Sequence, residues 1–213
     1  HEKRITLALD GMTLTQVLEY NKKSDEVSGF VNCGKYGQSP TVANQGILLM
    51  VRGLTLKWKQ TIGFFISKHN LNTSVLGRII SDAVSELKQI GFYVDGIVMN
   101  QESSQWKWVG SMGVSPDTPW VVHSQVKSFI IPDPPHLIKN LRNIFMDKDI
   151  AFTIDGVNMT AQWLIVEMLY SIDSGYPIQA VPRWTEEHFT LPRRKKMKII
   201  LACQIFSQSA LQR

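Results

Sequence analysis

Asp10 is a residue near the start of the chain whose type and position could support chemistry. It follows the apolar run of residues 5–9 and precedes Gly11. A continuous apolar run that ends at a turn residue is typical of a strand buried on both faces, so Asp10 would lie where this strand leaves the core. A carboxylate in that position is costly unless it has a partner. A metal ion, a nucleic-acid-handling site or a simple β-turn at Asp10 and Gly11 would each account for it.

Asn100 occupies a second position of interest. Nucleases that use two divalent ions need acids at the ends of two neighbouring strands, where the ions activate water and stabilise the leaving oxygen. The buried strand predicted over residues 93–99 should deliver such an acid directly after its end, and the residue there is Asn100. An amide offers magnesium only a neutral oxygen. Asp95 lies at the wrong end of this strand and is better explained by a turn with Gly96. Glu102 lies two residues after Asn100. Its carboxylate could replace the missing acid only if its side chain bridged a displacement of most of a turn.

The stretch of residues 133–143 combines two consecutive prolines with a polar helix face. Prolines are tolerated in the first turn of a helix, which predicts a helix over residues 136–146. Helical spacing places four polar residues on one face: His136, Lys139, Asn140 and Asn143. This face is either solvated or a basic surface for nucleic-acid phosphates, and Asp133 is a candidate helix cap. The candidate DNA contacts are His136, Lys139 and Arg142.

A basic run stands at the start of the last helical pattern and consists of Arg193, Arg194, Lys195, Lys196 and Lys198. Nuclear targeting, phosphate binding and a solvated helix face all remain open for this run. The six tryptophans follow no regular interval, which favours core positions over base-stacking platforms. The sequence contains no P-loop and no dinucleotide-binding glycine pattern.

The composition bounds the class of protein. Hydrophobic residues make up 44% of the 213 residues, which is enough for a packed core and argues against global disorder. The formal net charge of +5 favours anionic partners, nucleic acid first. Two distant cysteines, Cys33 and Cys203, predict neither a zinc site nor a disulfide framework. No apolar run reaches the roughly 18 residues of a membrane span, so we expect no membrane partner. The strand pattern at the start and the helical pattern at the end suggest a fragment.

Hydrophobic periodicity predicts the elements that would position these residues. Strands are predicted over residues 5–9, 27–31, 61–66, 93–99 and 128–131, and helices over 75–90, 104–112 and 136–146. Residues 46–54 are ambiguous between a strand and a short helix. The strand at 27–31 is expected to pair back on the first as a hairpin, and Thr73 or Ser74 to cap the first helix, which Gly91 ends. This order predicts an α/β protein with a mixed sheet and flanking helices, the ribonuclease H-like order.

The pattern changes after residue 147. Residues 160–172 and 193–211 are predicted to be helical, and Gly175, Pro177, Pro182 and Pro192 separate them. We therefore predict a ribonuclease H-like domain over residues 1–147 and the start of a helical domain over residues 148–213.

Several sequence segments resemble P-element-type DNA transposases, the family that includes the THAP-domain transposases. The segments are DGM at 10–12, LEYNK at 18–22, GFV at 29–31, MVRGL at 50–54, WKQ at 58–60, IPDPPHLIKNLRN at 131–143, WTEEH at 184–188 and KMKIILACQIFS at 196–207. They cover essentially the whole chain, and the segment at 131–143 is the most specific. The resemblance implies a ribonuclease H-like catalytic domain that is interrupted by a helical GTP-binding insertion.

The resemblance also implies site residues and ligands. The family's first catalytic acid, a metal ligand for Mg²⁺, falls on Asp10, and its second falls on Asn100, so that acid is absent. The third, a glutamate, would lie after Arg213, and Gly11 stands where many members carry a glutamate. A THAP zinc-binding domain, if the parent protein has one, would lie before His1. The GTP pocket of the family matches four residues here: Arg183, Lys198, Ile199 and Ser207.

Two functions follow as hypotheses. The first is part of a nuclear cut-and-paste DNA transposase that cleaves DNA with Mg²⁺ and transfers strands, impaired here by Asn100. The second is a domesticated derivative that does not cleave DNA and instead binds DNA or has a regulatory role. Whether the chain is an enzyme stays open. DNA is the expected partner, GTP binding is expected to be weak because the pocket is incomplete, and self-association is compatible with either reading.

Overall fold

The computed structural model describes residues 3–190 and 195–207, and it divides the chain into two compact units, His1–Asp133 and Pro134–Arg213. The domain boundary that the sequence predicted at residue 147 lies after this division, within the second unit. The difference arises because the helix after Pro134 contributes Phe145 to the hydrophobic core of the second unit. In the first unit, the backbone N–H of Asp133 donates to the carbonyl oxygen of Met99 at 2.9 Å.

The first unit is built on an eight-stranded sheet. Its elements are β1 (Arg4–Thr13), β2 (Glu19–Asn21), β3 (Glu26–Ser28), β4 (Phe30–Asn32), β5 (Gln38–Val42), β6 (Gln45–Gly53), β7 (Lys59–Ser67), α1 (Thr73–Gln89), β8 (Tyr93–Met99), α2 (Ser103–Ser111), β9 (Trp120–His123) and β10 (Val126–Pro132). The strand order is β5-β4-β7-β6-β1-β8-β10-β9, and β2 and β3 form a separate hairpin. β1 pairs antiparallel with β6 and parallel with β8, which confirms the predicted mixed α/β sheet.

Apolar residues on one face of the sheet and of α1 form the core of the first unit. Ile5, Leu7 and Leu9 alternate with more exposed residues along β1, as expected for a strand with one deeply buried face. The buried residues of α1 are Leu76, Ile79, Ile80, Val84 and Leu87, which repeat at helical spacing. These two stripes belong to one cluster, so the central strand is held firmly where it delivers Asp10.

The predicted pairing of residues 27–31 with the first strand was wrong. Residues 27–31 do not form one strand beside β1, because the strand is interrupted at Gly29. The part after Gly29, β4, pairs with β5 and β7 instead. Gly29 has a φ of 107°, and a Cβ there would lie 2.2 Å from the Val17 carbonyl oxygen. The place beside β1 is taken by β6, the segment that the periodicity left ambiguous. β9 was not predicted at all.

The cap of α1 is Asn72 and not Thr73 or Ser74. The Asn72 side-chain oxygen accepts hydrogen bonds from the Ser74 backbone N–H at 2.9 Å and from the Ser74 hydroxyl at 3.0 Å. Asparagine is among the strongest N-cap residues because its oxygen satisfies a free helical N–H. The predicted stop is confirmed, since α1 ends before Gly91, which has a φ of 89°.

The second unit is mostly helical and includes a hairpin. Its elements are α3 (Pro134–Asp147), β11 (Ile150–Ile154), β12 (Val157–Ala161), α4 (Trp163–Asp173) and α5 (Ile199–Ile205). The predicted helix start at residue 160 was wrong, because that residue still belongs to β12. Asp155 and Gly156 both have positive φ, the geometry of a two-residue hairpin turn. The predicted helix over 193–211 lies partly outside the described residues. Among the described residues, no helix meets the length and apolarity that a membrane crossing requires.

Candidate active site

Asp10 and Asn100 lie side by side at one edge of the sheet. β1 and β8 are parallel, and Leu9 and Met99 form their last registered pair. The residues that follow, Asp10 and Asn100, therefore lie next to each other just beyond the point where β1 and β8 stop pairing. The Asn100 amide nitrogen donates a hydrogen bond to Asp10 Oδ1 at 2.6 Å. The Asn100 side chain is buried, whereas Asp10 is exposed. The structure therefore brings together the two residues to which the sequence assigned catalytic positions, although their roles stay predictions.

The turn interpretation of Asp10 is wrong. β1 continues to Thr13, and Asp10 is paired in register with Leu48 of β6. The turn interpretation of Asp95 is wrong as well, because Asp95 lies within β8 and forms an ion pair with Arg4. That pair raises the pKa of Arg4, first through the hydrogen bond to Asp95 and then through its charge. The Asp95 carboxylate therefore pairs with Arg4 and not with Asp10, as expected from its position near the start of the strand.

Glu102 lies over the opposite face of β1 from Asp10. A Cβ at Gly11 would be 2.8 Å from Glu102 Oε1. Successive residues of a strand face opposite sides, so Gly11 shares the buried face with Leu9 whereas Asp10 points to the other face. Glu102 therefore does not replace the carboxylate that Asn100 lacks. A glutamate at position 11 would compete with Glu102 for the same space.

The candidate DNA contacts on α3 do not form a solvent-facing surface. Lys139 is 8% exposed and Arg142 is fully buried. Arg142 donates from Nη2 to the Lys196 carbonyl oxygen at 2.8 Å and from Nε to Asn143 Oδ1 at 3.0 Å. Its Nη1 is buried and has no hydrogen-bond partner among the described residues. Burial lowers the pKa of Arg142. The predicted basic surface at these two residues is wrong, and of the three candidates only His136 is partly exposed.

The candidate nucleotide residues are only partly brought together. Arg183 and Ser207 line one cavity of about 290 Å³ together with Trp184. The sequence singled out Trp184 only as part of a motif. Lys198 is not among the lining residues, and its Nζ lies 3.8 Å from Glu187 Oε2. Ile199 begins α5. A cavity of this volume is at the lower limit for a small-molecule site, so it has room for part of a nucleotide.

The basic run lies partly outside the described residues, since Arg193 and Arg194 fall in the gap at 191–194. Lys196 is described: its carbonyl oxygen accepts the hydrogen bond from Arg142, and its Nζ lies 3.8 Å from Asp147 Oδ1. Its backbone therefore anchors α3 to the segment before α5.

Comparison with known proteins places the chain in a family. Residues 1–113 match the family model described as TNP-like, RNase H N-terminal domain, and residues 135–212 match that of the TNP-like, GTP-binding insertion domain. The chain belongs to the TNP-like, P-element-type transposase family. The predicted family and the ribonuclease H-like fold are thereby confirmed. The second match begins at the division between the two units, at residue 135 and not at 148.

Two individual proteins are similar over nearly the whole chain. The Transposable element P transposase of Drosophila melanogaster is 28% identical over 211 residues, which is 98% of this chain and 25% of that protein. The solved structure of the Drosophila P element transposase strand transfer complex superimposes with a TM-score of 0.79 at 24% identity, covering 99% of this chain and 44% of that one. The chain thus spans a quarter of the length of the curated relative.

The magnesium ions that such a fold implies do not fit the residues present. Asp10 is the only carboxylate of the pair, and its Oδ1 already accepts a hydrogen bond from the Asn100 amide nitrogen. No group of three or more His, Cys, Asp or Glu side chains within residues 3–190 and 195–207 is arranged to hold a metal ion. Magnesium sites normally use carboxylates together with substrate phosphate. One carboxylate and a neutral amide do not provide that set.

Proposed function

We propose that this chain carries the architecture of a transposase catalytic core but does not cleave DNA itself. The observation that carries the proposal is the contact between Asp10 and Asn100. The two side chains are hydrogen-bonded neighbours, and a two-metal site would need a carboxylate at both positions, whereas one of the two is an amide. Family membership sets the architecture, whereas the residues of the site determine the activity.

The Asn100 amide takes over a role that a metal would otherwise have for Asp10. It donates a hydrogen bond to the carboxylate at 2.6 Å, so Asp10 has a hydrogen-bond partner without any cation. The Asp10 carboxylate therefore needs no metal ion as a partner in metal-free buffer. This supports the non-cleaving derivative over the cut-and-paste enzyme as the better description of this chain.

Metal binding tests the proposal. Titration calorimetry with MgCl₂ should show no saturable binding to the chain at millimolar concentration, and supercoiled DNA should not be nicked. Asn100→Asp should bind Mg²⁺ measurably. The matched control exchanges the two residues, Asp10→Asn with Asn100→Asp, and should again bind no metal because it restores one carboxylate and one amide. Saturable Mg²⁺ binding by the unmodified chain, or equal binding by the exchange variant and Asn100→Asp, would refute the proposal.

DNA binding is the second component of the proposed function. The formal net charge of +5 supports an anionic partner, and the similar solved structure is that of a strand transfer complex. We expect binding without sequence preference, with a log–log salt slope of about −0.9 for each phosphate contacted. The basic run from Arg193 to Lys196 is the better candidate for these contacts, and also for nuclear targeting, because Lys139 and Arg142 are buried. A flat salt dependence would contradict this component.

GTP binding is expected to be weak. Arg183 and Ser207 could contact one part of the nucleotide in their shared cavity, but a partly built site leaves the phosphate charges poorly paired. Calorimetry with GTP should show no saturation at micromolar concentration, and Arg183→Ala should abolish any heat that is detected. Micromolar binding that survives Arg183→Ala would show that the nucleotide occupies a different site.

A further inference from the structure

A single row of side chains crosses six strands of the sheet in the first unit. We call it the transverse row, and in strand order it consists of Lys59 (β7), Arg52 (β6), Thr6 (β1), Gly96 (β8), Phe129 (β10) and Trp120 (β9). Each member is in register with the next, and directly paired residues lie on the same face of a sheet. Ile5 and Val51, which adjoin the row, are buried in the core. Since successive residues of a strand alternate between faces, the row lies on the face opposite to the core.

Exposed cations occupy one end of the transverse row. Arg52 and Lys59 are both exposed, and neither has an ion-pair partner among the residues that the structure describes. Arg4 lies on the same face, but its charge is paired with Asp95. The charges of Arg52 and Lys59 are therefore available to an anionic partner.

Aromatic rings occupy the other end of the row. Phe129 is 44% exposed, and its ring packs edge-on against the ring of Trp120, with the centroids 5.9 Å apart. Lys127 lies two residues before Phe129 on the same strand face, and its Nζ is 3.4 Å from the Trp120 ring centroid and 5.4 Å from that of Phe129. Trp120 is thus covered by a cation, whereas the ring of Phe129 keeps exposed surface beside a positive charge.

We propose that the transverse row binds single-stranded DNA. Surfaces that bind single strands combine exposed rings, on which unpaired bases stack, with cations that contact the phosphates. A duplex keeps its bases stacked on one another, so the exposed ring of Phe129 would gain no base contact from it. The row therefore fits a single strand better than a duplex. The inference rests on the DNA binding proposed above, and it adds the form of the DNA and a second surface that binds it.

The length of the row suits a short strand segment. Five spacings of about 4.8 Å between neighbouring strands give roughly 24 Å, which fits the short end of the range of about 4–16 nucleotides for single-strand sites. Thr6 precedes Asp10 by four residues of β1, or about 13 Å. The row is therefore separate from the candidate active site.

Fluorescence anisotropy on the full chain tests the aromatic end, with one labelled oligonucleotide as a single strand and as a duplex. We expect the single strand to bind more tightly. Phe129→Ala should weaken single-strand binding by at least about fivefold, the lower limit for the loss of one stacked base, and should leave duplex binding unchanged. Phe129→Trp keeps a ring and should retain single-strand binding. The matched control is Phe64→Ala, because Phe64 is 54% exposed on the same face but lies outside the row.

Salt dependence tests the cationic end. Each phosphate contacted on a single strand contributes about −0.7 to the log–log salt slope. Arg52→Gln with Lys59→Gln should therefore make the slope less steep by about 1.4. Lys22→Gln with Lys23→Gln removes the same charge from two exposed lysines between β2 and β3, and this control should leave the slope unchanged.

The proposal is overturned if the single strand binds no more tightly than the duplex, if Phe129→Ala behaves like Phe64→Ala, or if the two double variants change the slope equally. Tighter binding of RNA of the same sequence would overturn DNA as the occupant. In each of these cases, salt-dependent binding of the duplex would leave the DNA binding of the proposed function standing. Binding to neither form of DNA would refute both.

Discussion

The amide nitrogen of Asn100 donates a hydrogen bond to Asp10 Oδ1 at 2.6 Å, at the point where the parallel pairing between β1 and β8 ends. The sheet thus retains the geometry that would bring two acids together, while the chemistry of the pair has changed. An amide and a carboxylate attract each other, whereas two carboxylates repel each other unless a cation lies between them.

Asn100→Asp should destabilise the chain in metal-free buffer at pH 7. The lost hydrogen bond and the new like-charge contact should cost about 1–3 kcal/mol, and each kcal/mol corresponds to about 2–4 °C in a chain of this size. Scanning calorimetry in EDTA should show the decrease, and Mg²⁺ should reverse it. The exchange variant, Asp10→Asn with Asn100→Asp, should melt at a higher temperature than Asn100→Asp, because it restores one amide beside one carboxylate, and at a lower temperature than the unmodified chain, because its carboxylate occupies the buried position.

The same variant should show a defined pH dependence. Two adjacent carboxylates raise the pKa of the pair in the folded state above the unfolded value of about 3.9. The destabilisation should therefore be absent below the unfolded pKa and should grow as the pH rises through the folded pKa. Equal melting temperatures at pH 4 and pH 7 would show that residues 10 and 100 are not in contact in solution.

Gly29→Ala should destabilise the first unit much more than Gly11→Ala. At Gly29 a Cβ would meet the Val17 carbonyl oxygen at 2.2 Å with φ at 107°, and the backbone strain alone should cost about 1–3 kcal/mol. At Gly11 the nearest atom is Glu102 Oε1 at 2.8 Å, the end of a flexible side chain that can move. We expect a cost of at most about 1 kcal/mol there. Urea denaturation measures both, and similar costs would contradict the close approach of Val17.

Arg142→Ala should destabilise the second unit by about 1–3 kcal/mol, the usual cost of leaving a buried hydrogen-bond acceptor without its partner. Arg142 is fully buried and holds the Lys196 carbonyl oxygen, so truncation leaves a cavity and an unpaired acceptor. Arg142→Met, which fills most of the volume without a charge, should cost less. Neither variant should change the salt slope of DNA binding. A slope that decreased by about one contact would restore Arg142 as a phosphate ligand.

Acid stability should depend on Asp82. Lys35 Nζ and the Tyr36 hydroxyl both contact Asp82 Oδ2 at 3.0 Å, and the hydrogen bond from Lys35 is the main cause that lowers the pKa of Asp82. A lowered carboxyl pKa contributes stability above the unfolded value of about 3.9, and that contribution is lost as the pH falls through the folded pKa. Asp82→Asn should therefore flatten the decline of stability below pH 4.

Tyr36→Phe provides the graded control for this prediction. It removes only the second-largest cause of the lowered pKa of Asp82, so its pH profile should lie between those of the unmodified chain and Asp82→Asn. Thermal melts between pH 2 and pH 5 measure the three profiles. Identical profiles for all three proteins would show that the Lys35–Asp82 pair has no role in acid stability.

The elements that local pattern controls were predictable. The apolar run of β8 and the helical stripe of α1 each carry a strong period, and their bounds agree closely with the prediction. The sequence also predicted that Asp10 and Asn100 meet, although β1 continues to Thr13 and only its parallel pairing with β8 ends at Leu9 and Met99. The antiparallel partner of β1, which is β6, could not be predicted from the sequence. Strand pairing of this kind depends on contacts between segments that are distant in sequence. The break at Gly29 acts through the Val17 carbonyl oxygen, which no local pattern reveals.

The amino-acid sequence by itself determined the family, the order of most elements and the two residues at the sheet edge. The tertiary structure decided which polar residues are available for function. Local spacing describes how α3 is divided into faces but not which face turns inward, and here Lys139 and Arg142 are buried while Leu141 and Ile144 are exposed. The same applies to Glu102, whose side relative to Asp10 depends on the fold of the chain after β8. Burial and facing are properties of packing between elements, and packing is set by the whole chain.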